Sequence, residues 1–209
     1  MNKPGSVKTL ENFGRARLSQ SFFMRDFLYS EISQITGLAN IPDNPDLAIK
    51  AGTRLCTELL EPLNATFGRI HIRSALRASA VNARGAQHRN QFNCSKNDNT
   101  LADHIWDRLD RNGHMGATAC IVIPWFADRY ACGADWRTLA WWLHDHLPYS
   151  EICFFPKLCA FNLGWHERPK RVIKSYIAPK GTLTRPGMAN HCGGHEANYP
   201  GFPNLKHFA

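Results

Sequence analysis

The segment NGHMGATACIVIP, residues 112–124, places a histidine and a cysteine six residues apart at the start of an apolar run. His114 lies on a turn, and Cys120 lies among the small residues of a predicted buried strand. Imidazole nitrogen and thiolate sulfur are both good zinc ligands, so the two residues could share a metal site. A buried cysteine in a strand is more often a small packing residue. Both interpretations stay open.

A second histidine with the same potential follows in GWHE, where His166 precedes Glu167. Strand alternation places Asn162, Gly164 and His166 on one face. His166 could complete a zinc ligand set, and Glu167 could then act as the general base that takes a proton from zinc-bound water. The alternative is a surface histidine at the end of a strand.

The stretch DHIWDRLDRNGH, residues 103–114, offers a different set of ligands. If it forms a helix, His104 and Asp107 lie three residues apart on one helix face, as a pair of metal ligands would need. The alternative is a solvated amphipathic turn whose Asp and Arg side chains pair locally.

The motif HCGGH, residues 191–195, holds two histidines and a cysteine around two glycines. It falls in a segment rich in Pro, Gly and Asn, so we expect no preformed metal site there.

Composition limits the class of protein. The chain has 209 residues, and its 44% hydrophobic and 20% charged content is typical of an ordered globular domain. Seven cysteines without a CxxC pair indicate neither a disulfide framework nor a zinc ribbon, and reduced thiols favour the cytoplasm. The N-terminus lacks the apolar segment of a secretory signal, and no apolar run is long enough to span a membrane. A net charge of +8 is compatible with nucleic acid or an anionic polymer as partner, although no binding motif accompanies it.

Hydrophobic periodicity predicts three helices and four strands. Gly37 should end the first helix, Asn44 should cap the second, and Asp135 should cap the third. The helices are predicted over residues 18–37, 41–68 and 135–147, and the strands at the start of 69–77, in GATACIVIP, and in the hairpin formed by EICFFP and CAFNLGWH. Helices with antiparallel strands indicate the α+β class.

The order of four motifs resembles one known family. LSQSFFMRDFLYSE and LLEPLNATFGRIHIRSALRASAVN are followed by GATACIVIP, then by LPYSEICFF and GWH. They resemble the opening helix, LEPLR…G.PI.ITSGYRSPALN, GxAxDIxIP, LPFDQLIxE and WVHIS of the zinc D-alanyl-D-alanine carboxypeptidase family. The resemblance covers about residues 18–170 and implies the Hedgehog/DD-peptidase fold, a small antiparallel sheet flanked by helices. We therefore expect an arm over 1–17, a domain over 18–174 with an insertion at about 83–113, and an irregular extension over 175–209.

The resemblance also implies a set of functional positions. In the family, the His and Asp of HxxGxAxD and a later His bind zinc, a Glu of LPFDQLIxE is the general base, and the Arg of SGYRSP contacts substrate. Arg77 matches the arginine, Cys120 stands at the aspartate position, and Phe155 stands at the base position. The first histidine position falls on Gly113, one residue before His114, and the last falls on Leu163 or, if GWH is matched directly, on His166.

Three hypotheses follow. The first is a diverged carboxypeptidase-like domain that binds a peptide or cell-wall-like ligand without catalysis, because the phenyl ring of Phe155 cannot accept a proton. The second is a zinc-dependent hydrolase with a site rebuilt from His104, Asp107, His114, Cys120 and His166, with Glu167 as a candidate base. The third is a binder of nucleic acid or an anionic polymer that uses the net positive charge.

Overall fold

The computed structural model describes residues 1–87 and 96–206, in which six strands form one open sheet with the order β1-β2-β4-β3-β5-β6. Neighbouring strands are antiparallel except for the parallel pair β3 and β5. The strands are β1 His71–Ser74, β2 Gly116–Val122, β3 Glu151–Phe154, β4 Phe161–His166, β5 Val172–Ser175 and β6 Gly181–Thr184.

The helices are short, and side-chain caps mark where several of them begin. Ser30 and Asn44 accept hydrogen bonds from the backbone of the helices that they cap, and Asp135 does the same for the last α-helix. The α-helices are α1 Val7–Gly14, α2 Glu31–Thr36, α3 Pro45–Leu55, α4 Glu61–Phe67, α5 Ser79–Gln87, α6 Pro124–Ala131 and α7 Trp136–His146. A π-helical segment, Cys56–Leu60, joins α3 to α4, next to a proline that cannot donate a backbone hydrogen bond.

The two faces of the sheet differ in character. On one face Ala119, Leu163, Ile152 and Phe154 lie fully buried in the main hydrophobic core. Strand alternation turns a second set of side chains to the opposite face, which we call the pocket face. It carries Thr118, Cys120, Cys153, Asn162 and Gly164.

The expectation of helices combined with a sheet is confirmed at the level of a mixed α/β architecture, and the Hedgehog/DD-peptidase fold remains an expectation. The expectation of a purely antiparallel sheet is wrong, because β5 pairs in parallel with β3. Arg171 adopts a left-handed backbone conformation, with φ 55°, in the crossover that leads into β5. Its guanidinium donates to the carbonyl oxygens of His144 and Leu147, which fixes this crossover.

Two predicted helices take other forms. Residues 18–37 contain a 3-10 turn, Met24–Phe27, followed by α2, and Gly37 ends α2 at φ 70° as expected. The stretch 103–110 forms turns rather than a helix. Ala102 has φ 50°, a left-handed conformation that a helix cannot contain.

Both ends of the described chain pack on the domain. Helix α1, in the segment predicted as an arm, buries Phe13 in the core. The C-terminal segment supplies β6, and its Phe202 contacts the rings of Phe67 and Trp125. No helix of the described residues has the length and apolar character required to cross a membrane. Residues 88–95 of the predicted insertion and 207–209 lie outside the described residues.

Candidate functional site

The pocket face holds a small polar cavity of about 180 Å³. Gly164 lines this cavity, and a Cβ there would lie 2.8 Å from Thr118 Oγ1. On β2, a Cβ at Gly116 would overlap the carbonyl oxygen of Ala102, so this glycine lets the turn around Ala102 cross close over the strand. The remaining lining residues are Asn99, Leu101, Asp103, Asp110, Ser150, Glu151, Cys153, Asn162, Trp165, His166 and Lys170.

Carboxylates outnumber fixed cations in this cavity. Asp103, Asp110 and Glu151 line it together with Lys170. Glu151 lies 3.0 Å from Nζ of Lys174 and 4.0 Å from Nζ of Lys170, so part of its charge is already balanced. The net negative lining suits a small ligand that carries an ammonium or guanidinium group.

Asp110 organises the rim of the cavity and brings two predicted ligands near each other. Its Oδ1 accepts the backbone N–H groups of Asn112 and His114, and its Oδ2 lies 3.3 Å from Nε2 of His166. Those backbone hydrogen bonds, that of His114 first, hold the pKa of Asp110 below its usual range. The rings of His114 and His166 are 6.0 Å apart between centroids.

Cys120 does not join these histidines. It lies opposite Asn162 on β4, whereas His166 lies opposite Gly116, four residues away along β2. At about 3.3 Å per residue the separation is roughly 13 Å, too long for two ligands of one metal ion. Burial raises the pKa of the Cys120 thiol to about 11, which disfavours the thiolate that binds metals.

The surroundings of Cys120 are apolar. It clusters with Val122 and Ala160, and the ring of Phe155 packs against this cluster. Phe155 also stacks on Tyr176, with 5.7 Å between ring centroids and an interplanar angle of 14°. The positions that the resemblance assigns to the zinc-binding aspartate and the general base are thus neighbours, and neither carries a carboxylate.

The predicted alternative pair is also separated. His104 is buried and its Nδ1 lies 2.9 Å from the carbonyl oxygen of Ala75, while Asp107 accepts the backbone N–H groups of Asp43 and Asn44. Burial, reinforced by the charge of Arg77, lowers the pKa of His104 to about 4. Because the backbone here is not helical, the three-residue spacing does not bring His104 and Asp107 to one face.

Arg77 and Glu167 both have structural partners. Arg77 donates to Asn82 Oδ1 at 3.1 Å. Glu167 Oε2 accepts the backbone N–H of Met115 at 2.8 Å, which ties the end of β4 to the start of β2. Glu167 lines a shallow depression on the other side of His166 rather than the cavity of the pocket face.

A second group of side chains forms where the C-terminal segment packs on α7. One ligand atom from each of His144, Asp145 and His195 lies within 4.8 Å of the others, and these residues could hold a metal ion. We call them the tail cluster. Within residues 1–87 and 96–206 it is the one group of three His, Cys, Asp or Glu side chains that meets this distance.

Hydrogen bonds arrange the tail cluster. Asp145 accepts the backbone N–H of His195 at 2.7 Å and the hydroxyl of Tyr199 at 2.9 Å, and its Oδ1 lies 2.6 Å from His195 Nδ1. Burial opposes its ionisation, but the hydrogen bonds from His195 and Tyr199 hold the pKa of Asp145 below its usual range. The His195 ring stacks on Trp141 at 4.2 Å.

Sequence proximity does not indicate the tail cluster, because His195 lies 50 residues after Asp145. From the HCGGH motif, His195 joins the tail cluster, because Gly193, at φ 103°, and Gly194 let the segment turn back so that His195 faces Asp145. The expectation of no preformed metal site in HCGGH stays a prediction. The sequence signal was the pairing of HDH at the end of a predicted helix with HCGGH. Only the tertiary fold reveals that they meet.

Comparisons of the chain with protein-family models, with characterised proteins and with solved structures gave no match.

Proposed function

We propose that this chain is a non-catalytic ligand-binding domain, a diverged relative of the D-alanyl-D-alanine carboxypeptidase type that it resembles, and that it holds a short peptide-like ligand in the pocket face. One observation carries the proposal. The positions that the resemblance gives to a zinc ligand and to the general base are Cys120 and Phe155, and they form an apolar cluster beside a polar cavity. A thiol and a phenyl ring supply neither a ligand carboxylate nor a proton acceptor.

The lining of the cavity suggests the class of ligand. With Asp103, Asp110 and Glu151 facing it, the cavity favours an ammonium group at the end of a peptide or of a lysine-like side chain. Its volume of about 180 Å³ admits such a group and little more, so the rest of the ligand would lie along the surface.

Calorimetric titration with the peptide L-Lys-D-Ala-D-Ala and with the same peptide acetylated on both amino groups tests this proposal. We expect binding of the free amine form, and affinity lower by about 10-fold for the acetylated form, since one charge-assisted contact is lost. Asp103→Asn should weaken binding similarly, while the exposed Asp128→Asn on α6 is a matched control that should not.

Hydrolysis is assayed in the same samples with and without added Zn²⁺. Release of D-alanine that depends on zinc and is abolished by His166→Ala would replace this proposal with the zinc hydrolase. Equal affinity for both peptides, or none, would remove the pocket face as an ammonium-binding site.

A further inference from the structure

We infer that the tail cluster is a metal site for a borderline divalent cation of the zinc class, held by His144, Asp145 and His195 and closed by the packing of the C-terminal segment on α7. Two imidazole nitrogens and one carboxylate oxygen form a ligand set that zinc commonly uses, and three protein ligands leave one coordination position open. This site is separate from the cavity of the pocket face, so the inference does not depend on the proposed function.

The hydrogen bonds of both rings leave Nδ1 as the potential ligand atom. Nε2 of His195 lies 3.0 Å from the carbonyl oxygen of Asn190, and Nε2 of His144 lies 3.0 Å from that of His191. A carbonyl oxygen can only accept, so each Nε2 carries a proton, and Nδ1 is the atom that can bind a metal once its present hydrogen bond is released. A metal-ligating histidine typically donates its other N–H to such a carbonyl, which fixes the tautomer.

The contact between His195 and Asp145 requires a positive charge. With Nε2 protonated, the lone pair of His195 Nδ1 lies 2.6 Å from an Asp145 carboxylate oxygen. Two acceptors approach this closely only when a proton lies between them, and a zinc ion would take the place of that proton. In a tetrahedral zinc site the two ligand atoms would stand about 3.3 Å apart, so the side chains need to separate by less than about 1 Å.

The surroundings supply an outer partner and access. The Tyr199 hydroxyl donates to Asp145 Oδ2. The Tyr149 hydroxyl donates to His144 Nδ1 at 2.6 Å, so it has to move aside when His144 binds a metal ion. An open depression of about 310 Å³ reaches His144 and Asp145, and it is also lined by His191, Glu196 and Arg171. Glu196 adds a second carboxylate that offsets the nearby charge of Arg171.

Zinc titration of chelator-treated full-length protein, in competition with a chromophoric chelator, is the direct test. We expect one zinc per chain, a melting temperature that rises with zinc, and an affinity that falls as histidine protons compete at lower pH. His195→Ala should lower the zinc affinity by more than roughly 100-fold, and Tyr199→Phe, which removes only an outer partner, by about 10-fold.

Matched controls separate this site from others. His146→Ala removes a histidine that lines the same depression without belonging to the cluster, and His166→Ala removes the histidine at the rim of the pocket face. Neither should change the zinc affinity. Loss of zinc in His166→Ala but not in His195→Ala would overturn the inference.

X-ray absorption spectroscopy of zinc-loaded wild-type protein keeps the test valid if His195→Ala fails to fold. Two imidazoles with oxygen ligands support the site, and sulfur ligation would assign the metal to cysteines instead. Absence of stoichiometric zinc binding would leave a proton between His195 and Asp145 and would overturn the inference.

Discussion

The pocket face and the tail cluster contain the same types of side chain, but the fold spaces them differently. On the pocket face Cys120 and His166 come from two neighbouring strands, and the strand rise keeps them about 13 Å apart. In the tail cluster a loop that follows the sheet folds back onto the end of α7, and ligand atoms converge within 4.8 Å. Residues that are close in a sequence motif therefore need not converge on one metal ion. Residues that are distant in sequence can converge when a C-terminal segment packs on the end of a helix.

Removing the central carboxylate of each region should give the largest effect and the clearest contrast. Asp145 is the acceptor for the backbone N–H and ring Nδ1 of His195 and for the Tyr199 hydroxyl. Asp145→Ala leaves these donors without a partner in a buried setting, so we expect the free energy of unfolding to fall by about 3–4 kcal/mol. Asp110→Ala removes the acceptor of two backbone N–H groups at a more exposed rim, and the free energy of unfolding should fall by about 1 kcal/mol.

Urea unfolding of both variants measures this contrast. Asp145→Asn, which keeps one acceptor oxygen, should recover part of the loss. If Asp145→Ala is no less stable than Asp110→Ala, then the packing of the C-terminal segment on α7 does not depend on the tail cluster.

Acidification should destabilise the protein through the buried His104. Its folded pKa of about 4 lies below the ordinary 6.5 because of burial, so its contribution is fully present above about 6.5 and is lost as pH falls toward 4. One such group changes stability by about 1.4 kcal/mol per pH unit in this window. His144, whose pKa is also lowered by burial, acts in the same direction from the tail cluster.

His104→Asn isolates this contribution, because the amide preserves a polar group near the Ala75 carbonyl and does not titrate. The difference in unfolding free energy between pH 7 and pH 4.5 should shrink in this variant. Ile105→Val, a buried neighbour that lowers stability without adding or removing a titrating group, is the control and should retain the wild-type difference. An unchanged difference in His104→Asn would contradict the assignment.

Local signals predicted the elements better than they predicted the site. The Asn44 and Asp135 caps, the Gly37 stop and the β3–β4 hairpin follow from local side-chain chemistry and alternation, and the structure confirms them. The parallel β3–β5 pair could not be predicted, because it depends on the Arg171 crossover between distant segments. Local signals also do not show that His195 meets Asp145, or that the backbone between His104 and Asp107 is not helical.

Restoring the aspartate of the resembled family tests how far the pocket face has diverged. Cys120→Asp places a carboxylate among Val122, Ala160 and Phe155, and we expect a loss of at least about 2 kcal/mol, compared with about 1 kcal/mol for Cys120→Ser. Denaturant unfolding measures both. Cys120→Asp should also bind no additional zinc, since His166 is too distant, and gain of a second zinc per chain would show that the face can still assemble a site.

Substitutions of Glu167 should have the smallest effect on stability. Comparing stability with activity in these variants distinguishes a catalytic role from a structural one. The Oε2 atom of Glu167 accepts the Met115 N–H, and the amide oxygen of Glu167→Gln can accept the same hydrogen bond, so we expect a loss below about 0.5 kcal/mol. Glu167→Ala leaves that N–H without this acceptor and should cost about 1 kcal/mol. If Glu167→Gln instead abolished a zinc-dependent hydrolysis while stability stayed unchanged, the reaction would need the carboxylate, as a general base does, because the amide retains the hydrogen bond to Met115. If stability falls more in Glu167→Ala than in Glu167→Gln and no hydrolysis is detected, then the role of Glu167 is structural, and it holds the end of β4 next to β2.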